Sequence, residues 1–235
     1  MRLPKKITPC PLVESIFELR FESQIPADAI FGIVYSQFKE DYPKVEPLPI
    51  QQLPEQIRTN DPNLMFSPHY KLSGENFLIQ VGPKVFSVVH AQEYKGWDFF
   101  FAEIKRSVEK FQKTEIASEI TRAGLRYINI FKDMDVFSRS TINLSIGDRN
   151  LESCSKSITA DISSGVFTNT LRMANNAEIN IQGDIFNGSV IDIDTYIVNP
   201  QEIISEAENA HIEEKKIFFS LLKDDFISDL NPDYE

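Results

Sequence analysis

The segment VESIFELRFES, residues 13–23, alternates without a break: Val13, Ser15, Phe17, Leu19 and Phe21 fall on one side, Glu14, Ile16, Glu18, Arg20 and Glu22 on the other. A period of two is the mark of a strand with one apolar and one wet face. Strand-like segments recur at residues 70–72, 77–81, 85–92, 121–131, 142–146, 156–162, 167–173, 178–182 and 189–198, separated by polar or glycine-containing turns. Helical spacing is confined to three stretches. The first follows Pro26 and carries Ile30, Ile33, Val34 and Phe38. The second carries Trp97, Phe100, Phe101, Ile104, Val108 and Phe111. The last starts at Pro200 with Asn199 as its cap, runs nearly to Asp229, and turns Ile203, Ala207, Ala210, Ile217, Leu221 and Phe226 inward.

Strands in succession with few helices predict an α+β fold, a curved antiparallel sheet or sheets packed on about three long helices rather than βαβ units. Each half places strands before a helix, which allows two pseudo-repeated halves, residues 1–120 and 121–235, or one continuous domain. Prolines at 43, 47, 49, 54 and 62 make residues 43–62 an extended edge or loop.

Composition narrows the function. A 42% hydrophobic content over 235 residues supports a core. No segment approaches the roughly 20 apolar residues of a membrane span, and the N-terminus lacks the apolar run of a signal peptide. A cytoplasmic protein is expected. Cys10 and Cys154 stand far apart and are expected as free thiols. A net charge of −11 argues against nucleic acid, whose binding needs a basic surface. Ten acidic residues against three lysines follow Pro200, so Glu206, Glu213, Glu214, Asp224 and Asp225 are candidates for contact with a protein partner that has a basic surface.

Neither GxGxxG nor GxxxxGK[ST] occurs, His69, His90 and His211 show no metal-ligand spacing, and no GxSxG elbow is present. No cofactor and no metal are expected, and the chain is read as non-catalytic.

The charged strand faces are the informative part. In TRAGLRYINIF, Arg122, Gly124 and Arg126 share one side; in SVIDIDTYIV, Asp192 and Asp194 do; Glu14, Glu18 and Arg20 share a side of the first strand. Arg126 can pair with Asp192, Asp194 or Glu18 as a lattice of internal ion pairs. Alternatively Arg122, Arg126, Asp192, Asp194 and His90 surround a small anion, since a guanidinium fork suits a carboxylate or phosphate. Gly124 leaves room for a bulky neighbour such as Trp97 or Phe101.

Pro11 and Glu14 near the start, Gly96-Trp97 before the second helix, and Arg122, Gly124, Arg126, Tyr127 and Asn129 in the strand after it form a pattern. It resembles a sporadically distributed, uncharacterised prokaryotic family of about this length, most closely over the first 131 residues. The resemblance transfers no catalytic residue. It implies an accessory role, such as phage defence or toxin neutralisation. The expectation is therefore a non-catalytic binding or regulatory protein, with a small-anion enzyme or sensor as the alternative.

Overall fold

The computed structural model describes residues 2–62, 64–151, 154–181 and 183–234. The alternating segment forms β1 (Leu12–Glu22), with Ser15, Phe17, Leu19 and Phe21 buried and the residues between them half-buried. Pro26 precedes α1 (Ala27–Phe38), which buries Ile30, Val34 and Phe38. The proline-rich stretch carries more structure than a loop: an edge strand β2 (Lys44–Pro47), a 3-10 turn (Pro49–Gln52) and a short helix α2 (Glu55–Asn60). Two of its prolines occupy entry positions. Pro49 opens the turn and Pro54 stands just before α2, where a missing N–H leaves no helical hydrogen bond unmade.

A meander follows: β3 (Tyr70–Ser73), β4 (Leu78–Gly82) and β5 (Val85–His90). The helix α3 (Trp97–Gln112) buries Phe100, Ile104, Val108 and Phe111 as its spacing requires, and Glu103 and Ser107 with them. After β6 (Glu119–Lys132), only a fragment of the segment at 142–146 is extended, as a two-stranded hairpin of β7 (Ser145–Ile146) and β8 (Arg149–Asn150). The remaining strands are β9 (Ser157–Ser164), β10 (Phe167–Ile181) and β11 (Asp184–Val198).

Two segments read separately, 167–173 and 178–182, are one strand as far as Ile181; Gln182 lies outside the described residues. The ANNA sequence between them looks like a turn. The strand continues through it with one left-handed residue, Asn176 at φ +51°, which asparagine tolerates, while the Asn175 side chain accepts from Lys156 N (2.6 Å) and donates to Cys154 O (3.2 Å).

The single last helix of the sequence reading is two, α4 (Ile203–Leu221) and α5 (Asp224–Asp229). The break has a cause in the backbone: Leu222 bridges Ser140, Thr141 N donates to Leu221 O, and Lys223 N donates to Arg139 O, which takes these residues out of helical pairing. Asn199 bonds Thr121 O through its N–H, and α4 begins four residues later. Glu235, the last acidic residue, lies outside the described residues.

Nine of the strands form one antiparallel sheet in the order β2-β3-β4-β5-β1-β6-β11-β10-β9, which does not close. The fold is therefore α+β. The chain divides into two compact units, Glu14–Leu125 with Tyr196–Glu208, and Met1–Val13, Arg126–Thr195 and Asn209–Glu235. The division falls inside β6 and not in a linker. In the first unit Phe21, Phe38, Phe86 and Phe111 pack with ring centroids 4.6–5.5 Å apart. The second unit packs Phe131, Met173, Ile191 and Ile193 against Phe218, Phe219, Leu222 and Phe226. Among the described residues no helix is long and apolar enough to cross a membrane.

Candidate functional site

The alternation in β6 sends Ala123, Leu125 and Phe131 to the buried side and Arg122, Gly124 and Arg126 to the other. Arg122 is nonetheless 8% exposed. Its Nη1 donates to Glu18 Oε1 at 2.8 Å, the same oxygen takes the Arg20 Nε at 2.7 Å, and its guanidinium lies 4.2 Å from the Tyr196 ring centroid. Gly124 makes this possible. A Cβ at 124 would sit 2.6 Å from Arg122 Nη1, so the space left by the missing side chain holds the neighbouring arginine, not Trp97 or Phe101. Gly124→Ala is expected to push the guanidinium off Glu18 and Tyr196 and to lower stability by about 1 kcal/mol in thermal or urea unfolding.

Arg126 makes the fork-to-fork arrangement of a guanidinium with a carboxylate: Nε to Asp192 Oδ1 and Nη2 to Asp192 Oδ2, both 2.7 Å. Arg172 stands 3.6 Å from the same carboxylate. Asp192 is buried, and Asp194 is half-buried two residues on. His90 ends β5 at 1% exposure among Phe77, Phe99 and Phe100. Its Nε2 has no hydrogen-bond partner among the described residues, and burial, helped by Lys95, holds the ring neutral by lowering its pKa. Of the five candidates for an anion site, Arg122 is thus engaged by Glu18 within the first unit and Arg126 by Asp192 within the second, as internal ion pairs, and His90 is packed among aromatic rings.

The acidic candidates divide as well. Glu206 Oε1 accepts from Gln201 N at the start of α4. Glu213 accepts from Ser164 and from Lys216. Asp224 and Asp225 are exposed on α5, where Asp225 and Asp229 face Arg139 at 3.5 and 2.7 Å. Glu214 is 1% exposed and cannot meet a partner. Neither carboxylate oxygen has a hydrogen bond of full geometry among the described residues; burial, with Asp194 and Asp192 adding repulsion, pushes its pKa well up, and the nearby Tyr127 backbone amide offsets only part of this. Burial in the apolar stripe of α4 thus favours the protonated, neutral form of this carboxyl. Beside it His211 contacts the Tyr127 hydroxyl at 2.9 Å, its pKa held down to about 3 by burial and by Lys215.

The sequence reading did not single out Glu103, which gathers Tyr42 OH (2.6 Å), Ser107 Oγ (2.7 Å) and the Arg106 guanidinium (3.0 and 3.1 Å) within the first unit. Burial and the Glu103 hydrogen bond raise the Tyr42 pKa, so that hydroxyl is a permanent donor. Nor did it identify the cavity of about 580 Å³ in the second unit, bordered by the β7–β8 hairpin, residues 135–144, Lys156 and Lys223. That volume is within the ~300–1,000 Å³ of ligand pockets. A second concavity, of about 230 Å³ beside Arg58 and His69 in the first unit, is below that range. Signals for the larger cavity were weak, because its cations come singly from different parts of the chain. No family model matches the chain, and no curated protein matches it.

Proposed function

We propose that this chain is a non-catalytic, cytoplasmic binding protein that senses a small molecule in the cavity of its second unit. The observation that carries this is the ligand-sized concavity itself, with charged and hydroxyl groups on its wall beside apolar ones. The arginine strand does not compete for the role, because Arg122 and Arg126 are engaged by Glu18 and Asp192. A regulatory part in a defence or toxin-neutralising system is the setting that the family resemblance implies. Non-denaturing mass spectrometry of the full chain purified from its own cells tests the reading. A stoichiometric small-molecule adduct, whose return to the stripped protein raises the melting temperature, is expected. An empty chain that no metabolite fraction stabilises contradicts it.

The exposed carboxylates of α5 favour a second reading, a protein partner with a basic surface. Asp224→Lys with Asp225→Lys should then release that partner while the chain stays folded. Capture unchanged by this reversal sinks the idea.

A further inference from the structure

We propose that the cavity takes an organic oxyanion, a carboxylate or phosphate carried on an apolar body; this rests on the binding reading above. The charges on its wall fall into two groups. Lys156 is engaged: its Nζ donates to Asp135 Oδ2 (3.3 Å) and Leu151 O (3.0 Å) and lies 5.2 Å from the Phe137 ring centroid. That pair is internal and neutral. What remains toward solvent is Arg149, Lys223 and Asp148.

Arg149 is exposed and has neither an ion pair nor a side-chain hydrogen bond among the described residues. Lys223 gives one hydrogen bond, to Ser138 O at 2.8 Å, and an ammonium has three to give. Among the described lining residues Asp148 is the one carboxylate left against these two cations, so they make the open part of the cavity net positive on a chain whose net charge is −11. A forked guanidinium beside an ammonium suits an oxyanion, bidentate on one and point-charged on the other. The uncharged part of the wall mixes Ser138, Ser140, Asn143 and Ser145 with Phe137, Ile142, Leu144 and Leu151, and these last four accommodate an apolar body.

The test is calorimetric titration of the full chain with four probes of one tail length: octanoate, octyl phosphate, octanol and octylamine. Octanoate or octyl phosphate is expected to bind saturably, at least roughly tenfold more tightly than octanol, and to weaken as salt rises from about 20 to about 500 mM. Which of the two binds more tightly separates a carboxylate from a phosphate ligand. Octylamine should not bind. In the Arg149→Ala/Lys223→Ala variant the preference over octanol should vanish, with the melting temperature kept because both side chains are exposed. Octanol binding as tightly as the anions overturns the oxyanion assignment and leaves the cavity a neutral-ligand site. Anion binding undiminished in the double variant places it elsewhere and also overturns it. No binding by any of the four probes overturns the oxyanion assignment, while the mass-spectrometric adduct decides the binding reading separately.

Discussion

Arg126→Met is expected to cost about 2–3 kcal/mol of stability, read by urea unfolding at neutral pH. Removing one member of a buried ion pair typically costs ~3–5 kcal/mol, because the other charge is left without its partner. Here the figure is reduced: the Arg126 side chain is 39% exposed, and Arg172 remains 3.6 Å from Asp192. Adding Asp192→Asn should return roughly half of the loss, since a neutral amide in that place no longer needs a cation. An arginine kept for a ligand behaves differently. Its removal leaves the fold at full stability, and that result would exclude the ion-pair role.

Glu214→Leu is expected to stabilise the protein, by about 1–3 kcal/mol at neutral pH, since it removes a fully buried carboxyl without a hydrogen bond of full geometry among the described residues. The pH dependence follows from the direction of the shift. In the unfolded chain this carboxyl ionises near its ordinary 4.5; in the folded protein it holds its proton to much higher pH. Below the unfolded value both states are protonated and the group adds nothing to the pH dependence. As pH rises above it, the unfolded state loses the proton first, so the wild type loses stability up to the folded pKa and no further. The gap in melting temperature between variant and wild type should therefore widen as pH rises above the unfolded value of 4.5. A constant gap would mean that Glu214 is ionised, and so compensated, in the fold. His211 has the opposite sign, since its depressed pKa makes the folded state lose ground as pH falls. Comparing the two proteins at each pH removes that contribution.

Legibility tracks how local the cause is. β1, α1 and α3 could be read because their periodicity is set by one buried face. The same rule, applied to α4, contains the signal that was passed over: Glu214 is four residues after Ala210 and four before Phe218, in the stripe with Ala207 and Leu221, so its place in the core was visible in the spacing. Reading it as part of an acidic surface gave composition priority over period. Other features depend on contacts that sequence does not display. The break between α4 and α5 follows from pairing of residues 221–223 with 139–141, and β10 runs through its asparagines because Asn175 is held by Lys156 and Cys154. Arg122 and Arg126 are recognisable as a charged face, and Asp192 is among the partners named for Arg126; that Glu18, named for Arg126, meets Arg122 instead depends on the strand order β1-β6-β11. The cavity was least legible. Arg149 and Lys223 are 74 positions apart, and nothing in either neighbourhood marks it as binding.

The central claim is that the arginine strand holds the protein's own carboxylates while recognition belongs to the cavity. One titration addresses both halves: octanoate into Arg126→Met and into Arg149→Ala/Lys223→Ala, each at a temperature where it is folded. Wild-type affinity in the first and lost affinity in the second is the predicted result. Lost affinity in Arg126→Met with retained affinity in the cavity variant would contradict the account and return the ligand to the strand.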